Sequence, residues 1–149
     1  MGYNNSNKLF GSIPQEIGLL ESLNELELSN NVLTSRIPYS IGKLRNLSLL
    51  ALGYNHLSGP IPSSIENLTS LSKLYLFDNK LSGPIPSSIT NLTSLSILAL
   101  WGNKLSGSIS QEIGLLESLN QLDLSKIVLT SKIPYSIGKL KNLSCLSLF

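Results

Sequence analysis

The chain has 149 residues, the length of one ordinary domain, and a net charge of +2 from 11 Lys+Arg against 9 Asp+Glu. Only 13% of it is charged and 42% is hydrophobic, which excludes a disordered tail and the dense cationic stripe of a nucleic-acid groove. Leu supplies 33 of the 149 residues, yet no apolar run approaches the roughly 18–20 residues of a spanning helix, so the leucine belongs to a repeat.

In chain order, Met1-Gly2-Tyr3-Asn4-Asn5 has no basic start and no apolar stretch, so no secretory signal is read there. A periodic frame follows. Leu23, Leu47, Leu71, Leu95, Leu119 and Leu143 stand 24 residues apart. The third copy reads Leu71-x-x-Leu74-x-Leu76-x-x-Asn79-x-Leu81-x-Gly83-x-Ile85-Pro86-x-x-Ile89-x-x-Leu92. Two further columns run through all copies: Ile13, Ile37, Ile61, Ile85, Ile109, Ile133, and Leu20, Leu44, Leu68, Leu92, Leu116, Leu140. The first copy is cut, with Gly2 and Asn4 where Leu26 and Leu28 sit one repeat later. The fifth is irregular: Ile127 replaces the turn Asn, Ser131 (like Ser35) replaces the Gly, and Ser110 replaces the Pro. Ile127 is expected to strain its turn most. The last copy stops at Phe149, inside its strand. Residues 15–53 and 111–149 agree at 30 of 39 positions, which points to recent duplication of four repeats.

Each part of the frame dictates a local structure. Leu-x-Leu alternation predicts a short strand with one face inward. Asn predicts a turn whose backbone groups its amide satisfies. Gly permits a positive φ, and Ile before Pro is extended. Ile-x-x-Leu-x-x-Leu suits one loose 3₁₀ turn back to the next strand. One coil has too little apolar surface to fold alone, so the coils must stack. The expected fold is a right-handed α/β-type repeat solenoid occupying residues 1–149 as one domain. It has about six coils, a parallel sheet on the concave face, short 3₁₀ or loop turns on the convex face, and no long helix.

This frame, with Leu-Ser-Gly-Pro-Ile-Pro at 57–62 and 81–86, resembles the plant-type leucine-rich repeat from Asn7 to Phe149. The resemblance implies an ectodomain of a receptor-like kinase or receptor-like protein, whose parent would lie outside the plasma membrane or in the cell wall. It implies as partners a secreted peptide, glycan or protein ligand and a co-receptor with similar repeats. Soluble polygalacturonase inhibitors share the pattern, so a secreted enzyme inhibitor is the alternative. Cysteine-paired caps usual in such ectodomains and kinase motifs are both missing, which suggests an interior piece of a larger receptor or a truncated product. Any kinase domain would belong to the parent.

Catalysis has little support. His56 is the only histidine and follows a turn Asn, so it reads as solvated. No His/Cys/Asp cluster suggests a metal site, and no base accompanies the many Ser and Thr residues; neither a cofactor nor catalysis is expected. The acids Glu25 and Glu27 alternate on one strand face, a polar binding surface. Cys145 is the only cysteine, so no internal disulfide forms. Asn-x-Ser/Thr acceptors occur at Asn4, Asn46, Asn67, Asn91 and Asn142, and glycosylation is expected at the last four, with Asn67 and Asn91 on the convex side.

The inward Leu residues set which residues point out of the concave face. One column reads Glu27, Ala51, Tyr75, Ala99, Asp123, Ser147; the next Ser29, Gly53, Phe77, Trp101, Ser125, Phe149; a third Glu25, Leu49, Lys73, Ile97, Gln121, Cys145. The middle repeats thus expose Leu49, Ala51, Tyr75, Phe77, Ile97, Ala99 and Trp101 between polar ends. Such a patch marks a binding surface. Phe77 and Trp101 are the expected anchors, forming one aromatic shelf. Tyr75, Leu49 and Ile97 lie beside them, Lys73 and Asp78 orient polar groups, and Tyr54 belongs to the lateral loop.

Overall fold

The computed structural model describes residues 7–149. The cut first copy's slots at Gly2 and Asn4, and the acceptor Asn4, lie outside the described residues. Twelve short strands occur in them: β1 (Phe10–Ser12), β2 (Glu25–Glu27), β3 (Val32–Thr34), β4 (Leu49–Ala51), β5 (Ser58–Gly59), β6 (Lys73–Tyr75), β7 (Lys80–Pro84), β8 (Ile97–Ala99), β9 (Lys104–Gly107), β10 (Gln121–Asp123), β11 (Val128–Leu129) and β12 (Cys145–Ser147). The even-numbered strands form one parallel sheet in the order β12-β10-β8-β6-β4-β2. Each strand pairs one repeat away, as in Leu50↔Leu74 and Leu74↔Leu98. The return path is a 3₁₀ turn in every coil: Gln15–Leu19, Tyr39–Lys43, Ser63–Asn67, Ser87–Asn91, Gln111–Leu115 and Tyr135–Lys139.

The odd-numbered strands pair as well, β1 with β3 and β11-β9-β7-β5 in a row. The Leu-x-Leu alternation predicts one sheet only, so this pairing is additional. Each of these strands lies between the lateral turn and the Ile column of its coil, as β7 does at Lys80–Pro84 ahead of Ile85. At a fixed period, extended segments of successive coils fall side by side and share hydrogen bonds.

The core is the space enclosed by strand, flank and turn. Leu50, Leu74, Leu98 and Leu122 fill it from the even-numbered strands, Leu57, Leu81 and Leu105 from the flank, and Ile65, Leu68 and Leu92 from the turn side; all are buried. A side-chain ladder ties the coils together. Asn31, Asn55, Asn79 and Asn103 are buried. Asn79 Oδ1 accepts the Leu57 N–H at 2.9 Å, and its Nδ2 donates to the carbonyls of Leu52, Leu76 and Phe77 at 3.0, 3.2 and 3.2 Å. Asn55 and Asn103 repeat the pattern one coil away on either side.

Ile127 has no oxygen to continue the ladder toward Leu105. The backbone there keeps the shape of its neighbours: Lys126 has φ 53°, like Tyr54 at 53° and Asp78 at 50°. The change at Ile127 therefore removes a hydrogen-bonding rung and leaves the turn geometry intact. A side chain stands in a glycine column at Ser35, which adopts φ 68° where Gly59 and Gly83 have 75° and 83°. Ser110 takes the place of Pro without loss. Its φ of −60° matches that of the prolines, and its hydroxyl accepts the Glu112 N–H at 3.3 Å. The Ser110 hydroxyl also bonds the Glu112 carboxylate, which holds that carboxyl below its ordinary range.

Candidate functional site

The open face of the even-numbered sheet is the concave face of the sequence reading. Tyr75 lies on β6 between Ala51 and Ala99 of the neighbouring strands. Phe77 and Trp101 follow β6 and β8. Their rings stack with centroids 4.9 Å apart and planes within 2°. Tyr54 stands edge-on to both, at 5.2 Å from Phe77 and 6.0 Å from Trp101, and Tyr75 is edge-on to Phe77 at 6.1 Å. Offset stacks and T-shaped pairs are the favoured geometries of aromatic quadrupoles, so the four rings support one another.

Two backbone features place these rings. Gly53 has no side chain where Phe77 lies; a Cβ there would stand 2.5 Å from the ring. Phe77 therefore leans across Gly53. Tyr54 occupies the left-handed region at φ 53°, a conformation that costs a side chain of this size energy and turns its ring onto the sheet face.

The remaining predicted residues are arranged around this cluster. Lys73 is exposed on β6, between half-buried Leu49 of β4 and Ile97 of β8. These three form a row beside the rings. Asp78 is exposed at the lateral turn, φ 50°. The sequence reading requires one correction: Ala51 and Ala99 are only 2% and 3% accessible. The larger side chains beside them close over these two short ones, so the aromatics form the surface and the alanines its floor. Lys126 was missed; its Nζ lies 5.8 Å from the Trp101 ring centroid. The signal was available, since Lys126 falls in the column Asn30, Tyr54, Asp78, Gly102, one place beyond the column that holds Trp101.

A recess of about 530 Å³ opens on the β2 side of the cluster, lined by Glu27, Ser29, Ala51, Tyr54, Tyr75 and Phe77 among others. A larger depression of about 730 Å³ lies on the flank among Ile13, Arg36, Pro38, Tyr39, Pro60 and Pro62. It has one charged group, Arg36, whose stem lies against Gly59. Three aromatic rings and a carboxylate line the first, whereas the second has one ring, Tyr39, and one charged group, so the sheet face is the candidate site.

Asn46, Asn67, Asn91 and Asn142 are all exposed. Asn67 and Asn91 end their 3₁₀ turns, away from the sheet face. The amides of Asn46 and Asn142 donate to the carbonyls of Glu21 and Glu117 at 3.0 and 2.8 Å. Among the described residues no group of three or more His, Cys, Asp or Glu side chains could hold a metal ion. No helix among them is long and apolar enough to cross a membrane.

Comparison with known proteins agrees with this architecture. The family described as leucine-rich repeat region matches residues 4–105. No curated protein sequence gives a significant match. Among solved structures, the plant peptide hormone receptor RGFR1 in complex with RGF2 superposes with a TM-score of 0.94 at 42% identity over 96% of this chain. The Arabidopsis receptor kinase HAESA, in complex with the peptide hormone IDA and the co-receptor SERK1, gives 0.93 at 43% identity over 96% of this chain. A TDR receptor gives 0.91 at 37% identity over 95%. The chain spans 23%, 24% and 24% of the lengths of those three chains. The unbroken 24-residue frame, the parallel sheet with its asparagine ladder, and these matches lead to one conclusion: the chain belongs to the leucine-rich repeat family, in the form built into plant receptor ectodomains.

Proposed function

We propose that this chain is part of an extracellular recognition domain of a plant receptor-like kinase or receptor-like protein. It acts by binding a secreted peptide, glycan or protein on the open sheet face of repeats two to four. The observation that carries the reading is the convergence of Tyr54, Tyr75, Phe77 and Trp101 on one rigid face. Rings already held by their neighbours lose little freedom when a ligand covers them, and central aromatics dominate interface energies. RGFR1, a plant peptide hormone receptor, is described in complex with RGF2, and HAESA in complex with the peptide hormone IDA and a co-receptor; this chain shares their fold. Glycans on Asn46, Asn67, Asn91 and Asn142 extend the reading. Those at Asn67 and Asn91 leave from the turn side, so the sheet face stays open.

The test is a panel of labelled plant secreted peptides and cell-wall oligosaccharides, followed by Phe77→Ala with Trp101→Ala on any that bind. Losing a central anchor pair costs about 2 kcal/mol or more, about 30-fold in affinity. Because the two rings stack on each other, the double variant also loses about 1 kcal/mol of stability and its midpoint falls by a few degrees. Unchanged affinity in a folded double variant places recognition off this face.

A further inference from the structure

We infer that the recess beside Glu27 receives a cationic side chain, above all the guanidinium of an arginine, from an extended peptide; this rests on the reading that the open face binds a ligand. The register is the starting point. Glu27 pairs with Ala51 and Ala51 with Tyr75, so one row across the sheet reads acid, methyl, aromatic. The next row reads Ser29, Gly53, Phe77. The two small residues, both buried under their neighbours, lower the surface between the backbones that carry Glu27 and Tyr75, which are two strand spacings or about 9.6 Å apart. Phe77 covers Gly53, and Tyr54 stands edge-on to Phe77. The outcome is a recess with a carboxylate on one wall, aromatic rings on the other and an alanine floor.

The chemistry of these walls selects positive charge. A carboxylate attracts a cation directly, and an aromatic ring attracts one that reaches its π face. Both repel an anion. Glu27 is held in place, because one of its oxygens accepts the Ser29 N–H at 3.1 Å. Its second carboxylate oxygen has no protein partner among the described residues. The cluster already binds a cation at its far end, where Lys126 reaches the Trp101 ring. A guanidinium suits the recess better than an ammonium, since it stacks on rings and forms paired hydrogen bonds with a carboxylate. The occupant must also be more than a small amine. Beyond the recess the face continues into the Phe77–Trp101 stack and half-buried Leu49 and Ile97, which need apolar groups attached to the same ligand.

Two synthetic heptapeptides test this, capped at both ends and identical except for arginine or its neutral isostere citrulline at the centre, with leucines flanking. Binding is followed by the NMR shifts of the Ala51 methyl and the Tyr54 and Tyr75 rings. The expected result is saturable binding of the arginine peptide at least 10-fold tighter than the citrulline peptide. Glu27→Gln, which keeps the acceptor for Ser29 N–H and removes the charge, should erase that difference. Equal binding of the two peptides, or a difference that survives Glu27→Gln, overturns the inference and leaves the sheet-face reading standing. If neither peptide moves these signals, the cation site is wrong. Whether the sheet-face reading falls too is then decided separately, by the effect of Phe77→Ala with Trp101→Ala on a panel ligand.

Discussion

Asn79 is where one residue does most for this fold. It is buried, it accepts the Leu57 N–H, and it donates to three carbonyls. Asn79→Leu keeps the volume but leaves the buried Leu57 N–H bare, at about 1–3 kcal/mol; the three carbonyls keep a second donor, from Asn55, Asn103 and the Tyr54 N–H. A net loss of about 2 kcal/mol is expected, read as a lower urea midpoint at unchanged slope. Ser35 is the opposite case. At φ 68° it holds a side chain in a column where four of the six residues are glycine. Ser35→Gly relieves about 1–2 kcal/mol of left-handed strain against about 0.5–1 kcal/mol of added chain entropy. A gain of about 0.5–1 kcal/mol should appear in the same urea titration. Both positions were visible in the sequence as members or breaks of a column. What the sequence could not show at Ile127 was the type of loss, because the turn there follows backbone hydrogen bonds to the next coil, such as Lys126 N–H to Phe149 O at 2.7 Å.

At the scale of the element, stacking sets the limits. The 3₁₀ turns of successive coils approach so closely that a Cβ on Gly42 would lie 2.4 Å from the Ser64 carbonyl oxygen. Backbone cannot swing aside as a side chain can. Gly42→Ala should therefore push two coils apart, costing about 1–3 kcal/mol, as measured by thermal unfolding. The same variant should leave the Phe77–Trp101 pair intact on the opposite side, so the emission of Trp101, the only tryptophan, should not change. The even-numbered strands and the 3₁₀ turns were legible because Leu-x-Leu and Ile-x-x-Leu carry distinct periods. The odd-numbered sheet was not, because Leu-Ser-Gly has no alternation of its own and becomes a strand only when its neighbours lie beside it.

For the whole molecule, the period alone determined which residues leave the sheet face, and the columns led directly to Tyr75, Phe77 and Trp101. Two things escaped them. The alanine floor is covered because large side chains close over small ones across strands, which depends on side-chain size beyond register. Lys126 reaches Trp101 from the lateral turn, one column outside those chosen. The central claim is that this face, and not the turn side, is the recognition surface. It is tested most directly by mapping backbone and aromatic NMR shifts as a panel ligand is added. Changes are expected to concentrate at Glu27, Ala51, Tyr54, Tyr75, Phe77 and Trp101, with Tyr39, Ser64 and Asn67 silent. Changes centred on Tyr39, Ser64 and Asn67, with the four rings unmoved, would contradict it.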